Sequence, residues 1–288
     1  MYTIVDNSIK GGIKMASKIA LFVSSQIAGK FALFMSALLI MVMTVTGCSV
    51  LSNTCATVDS IKRAGILKVG VKADVPGFGY LNPATNQYEG LEIDLAKLIA
   101  KEFLGNENWV KFVPVTAKTK GAALDSCDVD MVIATFTITE SRKLMYNFST
   151  PYYTDYTGIM VRKDSPVTRL ADLNGKTIGV VAQTSTQDGL QVIADTAGVK
   201  VFFEQFGSSS EAVAALTAGD IYAFSIDSSI LNGYQNENTR ILTERYSPQP
   251  LGIATKLSNK DLAQSIDKLV NTWLNNGTIT SLMSKYNL

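Results

Sequence analysis

The chain has 288 residues, nearly balanced charge (26 Lys and Arg against 25 Asp and Glu) and no histidine. The missing histidine excludes Ser-His-Asp and Cys-His nucleophilic chemistry and removes the commonest zinc ligand. Charge is dispersed, with no basic stripe of the kind that binds nucleic acid and no acidic cluster spaced as a calcium loop.

The chain opens with Lys10, Lys14, Lys18 and Lys30 against the single acid Asp6, followed by an uncharged apolar run over residues 31–46. That run is short beside the roughly 20 residues a membrane span needs, and the charge pattern reads as a secretion signal. Val45-Thr46-Gly47-Cys48 ends it and resembles a lipobox. The resemblance implies that residues 1–47 are a lipoprotein-type signal peptide and that Cys48 becomes the lipidated first residue of the mature protein. Met15 is an alternative start, and an uncleaved anchor helix with an incidental cysteine is the other reading of the segment. Both place the rest of the chain outside the cytoplasm. Residues 48–60 are expected to be a polar tether. An exported compartment permits Cys55 and Cys127 to pair; two free thiols fit the sequence equally well.

Beyond the tether, the alternation of Leu67-Lys68-Val69-Gly70-Val71-Lys72 predicts a strand. Gly77, Gly79, Pro83 and Asn86 mark a loop or hairpin. Leu91, Leu95, Leu98, Ile99 and Phe103 share one helical face that Gly105 ends. A strand over 110–115, a short helix over 120–124 and an apolar strand over 129–134 follow. The second half repeats the alternation, with strands at 158–161, 177–182, 201–204 and 221–226 and helices at 187–197 and 211–218. A strand over 251–256 and two closing helices, 261–275 and 279–286, complete the chain. Strands alternating with helices predict α/β sheets with parallel strands, whose ligands gather at the carboxyl ends of the strands.

Those ends carry Lys72, Lys120, the run from Thr135 through Thr137 to Arg142, the pair Ser185 and Thr186, and Asp227. The set suits a zwitterion. A carboxylate takes a bidentate guanidinium with hydroxyl and helix N-terminal N–H donors, and an ammonium takes a carboxylate. Taken singly, each residue reads better as a cap or a solvated charge than as a ligand contact.

The segment Val129-Asp130-Met131-Val132-Ile133-Ala134-Thr135-Phe136-Thr137-Ile138-Thr139-Glu140-Ser141-Arg142-Lys143, running on to Asn147-Phe148-Ser149-Thr150-Pro151-Tyr152-Tyr153, resembles the signature of the polar amino-acid solute-binding proteins, bacterial extracellular solute-binding family 3. Gly65 to Val71, Tyr88 to Ala96 and Asn174 to Val180 are similar too. The resemblance implies a two-lobed periplasmic-binding-protein-like fold of type II, two α/β lobes on a two-stranded hinge. Lobe 1 would be 61–155 with a return over 253–288, and lobe 2 would be 156–252. It implies that Arg142 grips an α-carboxylate with Thr137 and the backbone at Ser185 and Thr186. Asp227 would hold the α-ammonium, assisted by the Thr135 carbonyl.

Lys72-Ala73-Asp74 and Thr116-Ala117-Lys118-Thr119-Lys120-Gly121 resemble the members that bind glutamate, aspartate and glutamine, where two basic residues meet the side-chain acid. Lys120 stands where arginine is commoner, and Cys127 where a turn glycine is usual. Counting Arg142, Lys72 and Lys120 against Asp227 gives +2 and points to an acidic ligand, with glutamine as the alternative. Phe78 and Tyr80 are expected either to pack on the ligand's aliphatic part or to pack within lobe 1, and Tyr152 and Tyr153 to lie in hinge-side core.

The implied role is a monomeric, lipid-anchored receptor that hands a free amino acid to an ABC permease. ATP would be hydrolysed by another subunit, since no Gly-rich Lys-Ser/Thr nucleotide motif occurs here, and no cofactor is expected. The fold also hosts a dehydratase, for which Glu140 or Asp74 would be the acid, and sensory lipoproteins.

Overall fold

The computed structural model describes residues 55–288, so the leader, the lipobox-like run and Cys48 lie outside the described residues. Order begins earlier than the tether expected as far as Ser60. Helix α1 (Val58–Ala64) opens on a reciprocal cap between Thr57 and Ser60 and ends at Gly65 in the left-handed region, φ 67°. Ala56 and Ile61 are buried. Cys55 is joined to Cys127 by a disulfide, with Cα atoms 5.2 Å apart. Cys127 itself has φ 65°, the conformation that favours the glycine usual there.

The chain continues through β1 (Leu67–Val71), a hairpin sheet of β2 (Asp74–Val75), β3 (Gly79–Asn82) and β4 (Gln87–Glu89), then α2 (Leu91–Leu104) and β5 (Val110–Pro114). Next come α3 (Lys120–Asp125), β6 (Met131–Ile133), α4 (Glu140–Lys143) and β7 (Tyr146–Phe148). The long β8 (Tyr153–Arg162) leads to β9 (Thr177–Val181), α5 (Thr186–Thr196), β10 (Phe202–Phe206) and α6 (Ser209–Ala218). After β11 (Ala223–Asp227) come α7 (Ser228–Tyr234), β12 (Thr239–Ile241), β13 (Tyr246–Leu251) and β14 (Ala254–Lys256), then α8 (Lys260–Asn275) and α9 (Thr278–Lys285).

Two sheets organise these elements. The first has the order β5-β1-β6-β14-β7, the second β10-β9-β11-β8-β12 with β13 also paired to β8. In each, the central pairs β1–β5, β1–β6, β9–β10 and β9–β11 are parallel. Such strands are covered on both faces, which explains runs as apolar as Leu67–Val71, where only Lys68 is exposed. The chain leaves the first sheet after β7, enters the second at β8, and returns from β13 to β14. These two crossing strands pair antiparallel from Tyr153 opposite Leu251 to Thr157 opposite Tyr246.

The single strand expected over 251–256 is broken at Gly252 and Ile253, because its two ends serve different sheets. A Cβ on Gly252 would sit 2.8 Å from Ile138 Cδ1 and 3.2 Å from the Ser149 carbonyl, so glycine lets these segments pack closely there. Helix α7 was not expected. Its seven residues hold Asn232 and Gly233, poor helix formers, and too few turns to show a period. Among the described residues no helix is long and apolar enough to cross a membrane, and no cluster of His, Cys, Asp or Glu could hold a metal ion.

Candidate functional site

The carboxyl ends of the parallel strands of both sheets face one cavity of about 60 Å³. A water-sized group needs roughly 10–15 Å³ of such space, so the cavity takes a handful of them. Lys72, Lys120, Thr135, Thr137, Arg142, Ser185 and Asp227 all line it. Thr186, the first residue of α5, is fully buried beside it, and its hydroxyl has no hydrogen-bond partner among the described residues.

Arg142 is aimed by its own short helix. The Thr139 hydroxyl accepts from the Arg142 backbone N–H at 3.2 Å and starts α4. The guanidinium then donates from Nη1 to the Thr137 carbonyl at 2.8 Å and from Nη2 to the Gln183 carbonyl at 3.1 Å. The second bond crosses from the lobe built on the first sheet to the lobe built on the second. Burial holds the Arg142 guanidinium below its usual range, against the opposing pull of Asp227.

Lys120 is only 6% exposed. Its Nζ donates to the carbonyls of Ala134 at 3.1 Å and Thr135 at 3.0 Å. The Thr135 carbonyl, expected to accept from a ligand, thus already accepts from this lysine. Phe136 lies under both cations, 4.2 Å from Lys120 Nζ and 5.0 Å from the Arg142 guanidinium carbon, and such ring faces stabilise positive charge. Even so, burial first, then the charges of Arg142 and Lys72, push the Lys120 ammonium well below the usual lysine range.

Behind this wall stands Glu92, fully buried in the first turn of α2. Its Oε1 accepts from the Thr135 N–H and from the Tyr152 hydroxyl, each at 2.6 Å. Thr135 has φ 41°, a conformation that costs a β-branched residue energy, and the carboxylate holds it there. Desolvation raises the Glu92 carboxyl above its ordinary range. Glu92 stands outside the strand-end positions that the sequence pattern marks. The available signal was an acid in a helix first turn between the buried positions Leu91 and Ile93.

Asp227 ends β11 and is 5% exposed. Desolvation, then the nearby Asp155 carboxylate, push its pKa up to about 7, against the pull of Lys120 and Arg142. Lys72 is paired with Asp74, Nζ to Oδ1 2.9 Å, and Asp74 also lines the cavity. Three cations and two acids therefore face the cavity, a balance of +1 instead of the +2 counted from Lys72, Lys120, Arg142 and Asp227 alone. The Ser185 hydroxyl donates to Gln249 Oε1 at 2.7 Å, which leaves the start of α5 as the site's source of N–H donors on that side.

Of the two placements open to them, Phe78 takes packing within its own lobe, and neither Phe78 nor Tyr80 lines the cavity. Phe78 is fully buried, edge-on to Tyr153 with ring centroids 5.1 Å apart, and Tyr80 belongs to the hairpin, opposite Asp74 and Glu89. The cavity's apolar wall comes instead from Val181, Ile226 and Ile230. Tyr152 is core, as expected, and also a hydrogen-bond donor.

Comparison with known proteins agrees with this architecture. The family described as bacterial extracellular solute-binding proteins, family 3, matches residues 67–288. A glutamine-binding protein of Geobacillus stearothermophilus is 36% identical over 213 residues, 73% of this chain and 80% of the relative. The ABC transporter glutamine-binding protein GlnH of Bacillus subtilis (strain 168) is 33% identical over 234 residues, 80% of this chain and 84% of the relative. The solved structure of a cysteine-binding protein from Campylobacter jejuni aligns with a TM-score of 0.70 at 29% identity, covering 80% of this chain and 92% of its own. The two-lobed α/β fold and the matched residues together make this chain a member of family 3 of the bacterial extracellular solute-binding proteins, the amino-acid-binding components of ABC transporters.

Proposed function

We propose that the cavity binds one free amino acid with an acidic side chain, glutamate or aspartate, for import. Arg142, Thr137 and the N–H groups at the start of α5 take the α-carboxylate, and Asp227 takes the α-ammonium. Lys72 and Lys120 meet the side-chain carboxylate, Lys120 with the donor left after its two carbonyl bonds. The observation that carries this reading is the +1 balance of the cavity lining. An acidic zwitterion brings it to zero, whereas a neutral one leaves an uncompensated charge in a desolvated cleft, which costs several kcal/mol by order of magnitude.

A second reading, glutamine, is favoured by the names of the two relatives and by the Lys72–Asp74 ion pair, which already offsets one lysine. Both readings share a mechanism. A ligand that touches both lobes shifts the open–closed population toward closure, and the closed form delivers it to a membrane permease driven by a separate ATPase. The protein then acts as a receptor and not an enzyme, monomeric and held to the membrane by lipid on Cys48.

Calorimetry against the twenty common amino acids tests the proposal. Glutamate or aspartate should bind at least tenfold more tightly than glutamine. The reverse order would establish the second reading, and no binding to any of them would end both.

A further inference from the structure

We infer that helix α7 and the loop it meets form a closure contact that sets ligand affinity from outside the cavity, with Gly233 and Tyr234 as the residues that determine it. The inference rests on reading the cavity as an amino-acid site but not on which amino acid it takes.

α7 follows directly on Asp227 and belongs to the second lobe. The segment from Asp74 to Gly77 begins two residues after Lys72 and belongs to the first. Where they meet, a Cβ built on Gly233 would lie 2.7 Å from Pro76 Cδ and 3.3 Å from its Cγ. The proline ring is rigid and cannot swing aside as a long side chain would. Gly233 does not have a positive φ, so this glycine is required for space and not for backbone freedom.

One residue further on, the Tyr234 hydroxyl donates to Asp74 Oδ2 at 3.1 Å, while Asp74 Oδ1 pairs with Lys72 at 2.9 Å. One carboxylate therefore joins a cavity-lining lysine to the opposite lobe. Neither Gly233 nor Tyr234 lines the cavity.

A ligand can draw the lobes together only by the difference between its interactions in the two states. A contact made between the lobes themselves adds to the closed state whatever the ligand is. Alanine at Gly233 adds a clash in one state alone. With the lobes apart it is the better helix former; with the lobes together it meets Pro76.

The test uses the full chain as wild type, Gly233→Ala, Gly233→Ala with Pro76→Ala, and Tyr234→Phe. Calorimetry with glutamate and with glutamine is paired with the unfolding temperature and hydrogen exchange of the unliganded proteins. Gly233→Ala should weaken both ligands by the same factor, at least tenfold, with unchanged or higher unliganded Tm and faster exchange over residues 74–80. Removing the Pro76 ring should restore most of the lost affinity. Tyr234→Phe should weaken both ligands severalfold through faster dissociation, at an unchanged association rate.

Unchanged affinity in Gly233→Ala would overturn the inference. So would a loss confined to one of the two amino acids, because the residue would then be reading the side chain. If the wild type bound none of the twenty common amino acids, the amino-acid reading would fail, and exchange over 74–80 in the unliganded variants would still decide whether the contact exists. Should Gly233→Ala not fold, Tyr234→Phe with unchanged dissociation refutes the inference by itself.

Discussion

Acidification sets a proton against the ligand's ammonium for the same carboxylate. Asp227 has a pKa of about 7, and only its ionised form can hold an ammonium. At pH 5 about 1% of such a group is ionised, so the dissociation constant should rise roughly a hundredfold from its value at pH 8, equivalent to about 2.7 kcal/mol. The loss should approach tenfold per unit below pH 7 and vanish above about pH 8. A bound ammonium draws the pKa back down, so binding at pH 5–6 must release close to one proton. Calorimetry in two buffers of different ionisation enthalpy measures that proton directly.

The sign for stability follows from the same shift. The folded, unliganded protein holds the Asp227 proton between about pH 4 and 7 while the unfolded chain has lost it. This contribution is therefore full below the ordinary carboxyl range and is lost as pH rises toward 7. A dissociation constant that stays flat from pH 5 to 8, with no proton released, would refute the reasoning, because Asp227 would then be solvated in the free protein.

Arg142→Ala should reduce affinity for every amino acid by at least a thousandfold by calorimetry, since a bidentate carboxylate clamp and the bond to Gln183 are lost together; near-normal affinity would remove Arg142 from the site. Lys72→Gln combined with Lys120→Gln should turn preference from glutamate toward glutamine in the same assay, and an unchanged ratio would deny the lysines a part in side-chain recognition. Cys127→Ser opens the cross-link that spans 72 residues and should lower stability by up to about 4 kcal/mol in denaturant unfolding, with ligand affinity unchanged. Cys48→Ser should move the protein from the membrane fraction to the soluble fraction, as read by immunoblotting.

Much of the fold was legible because its parallel strands are short, apolar and bounded by turns. Leu67–Val71, Thr177–Val181 and Ala223–Asp227 fall within a residue or two of where periodicity puts them. The positions Lys72, Arg142 and Asp227 were legible as strand-end chemistry. What the sequence concealed is contact across distance. Glu92 reaches Thr135, 43 residues away, and no local pattern marks a buried acid as a brace. Asp74 was left out of the sequence's charge count, and its pairing with Lys72 changes that count. Phe78 was aromatic and in the expected loop, but side-chain direction depends on the hairpin that turns it toward Tyr153. Helix α7 was hidden by the same glycine that lets it approach Pro76.

The most direct test of the two-lobed grip is a crystal structure of the protein with glutamate. The α-carboxylate should lie within hydrogen-bonding distance of the Arg142 guanidinium and the Thr186 N–H, with the ammonium on the Asp227 carboxylate. Glutamate bound away from these groups, or held by one lobe alone, would contradict the account.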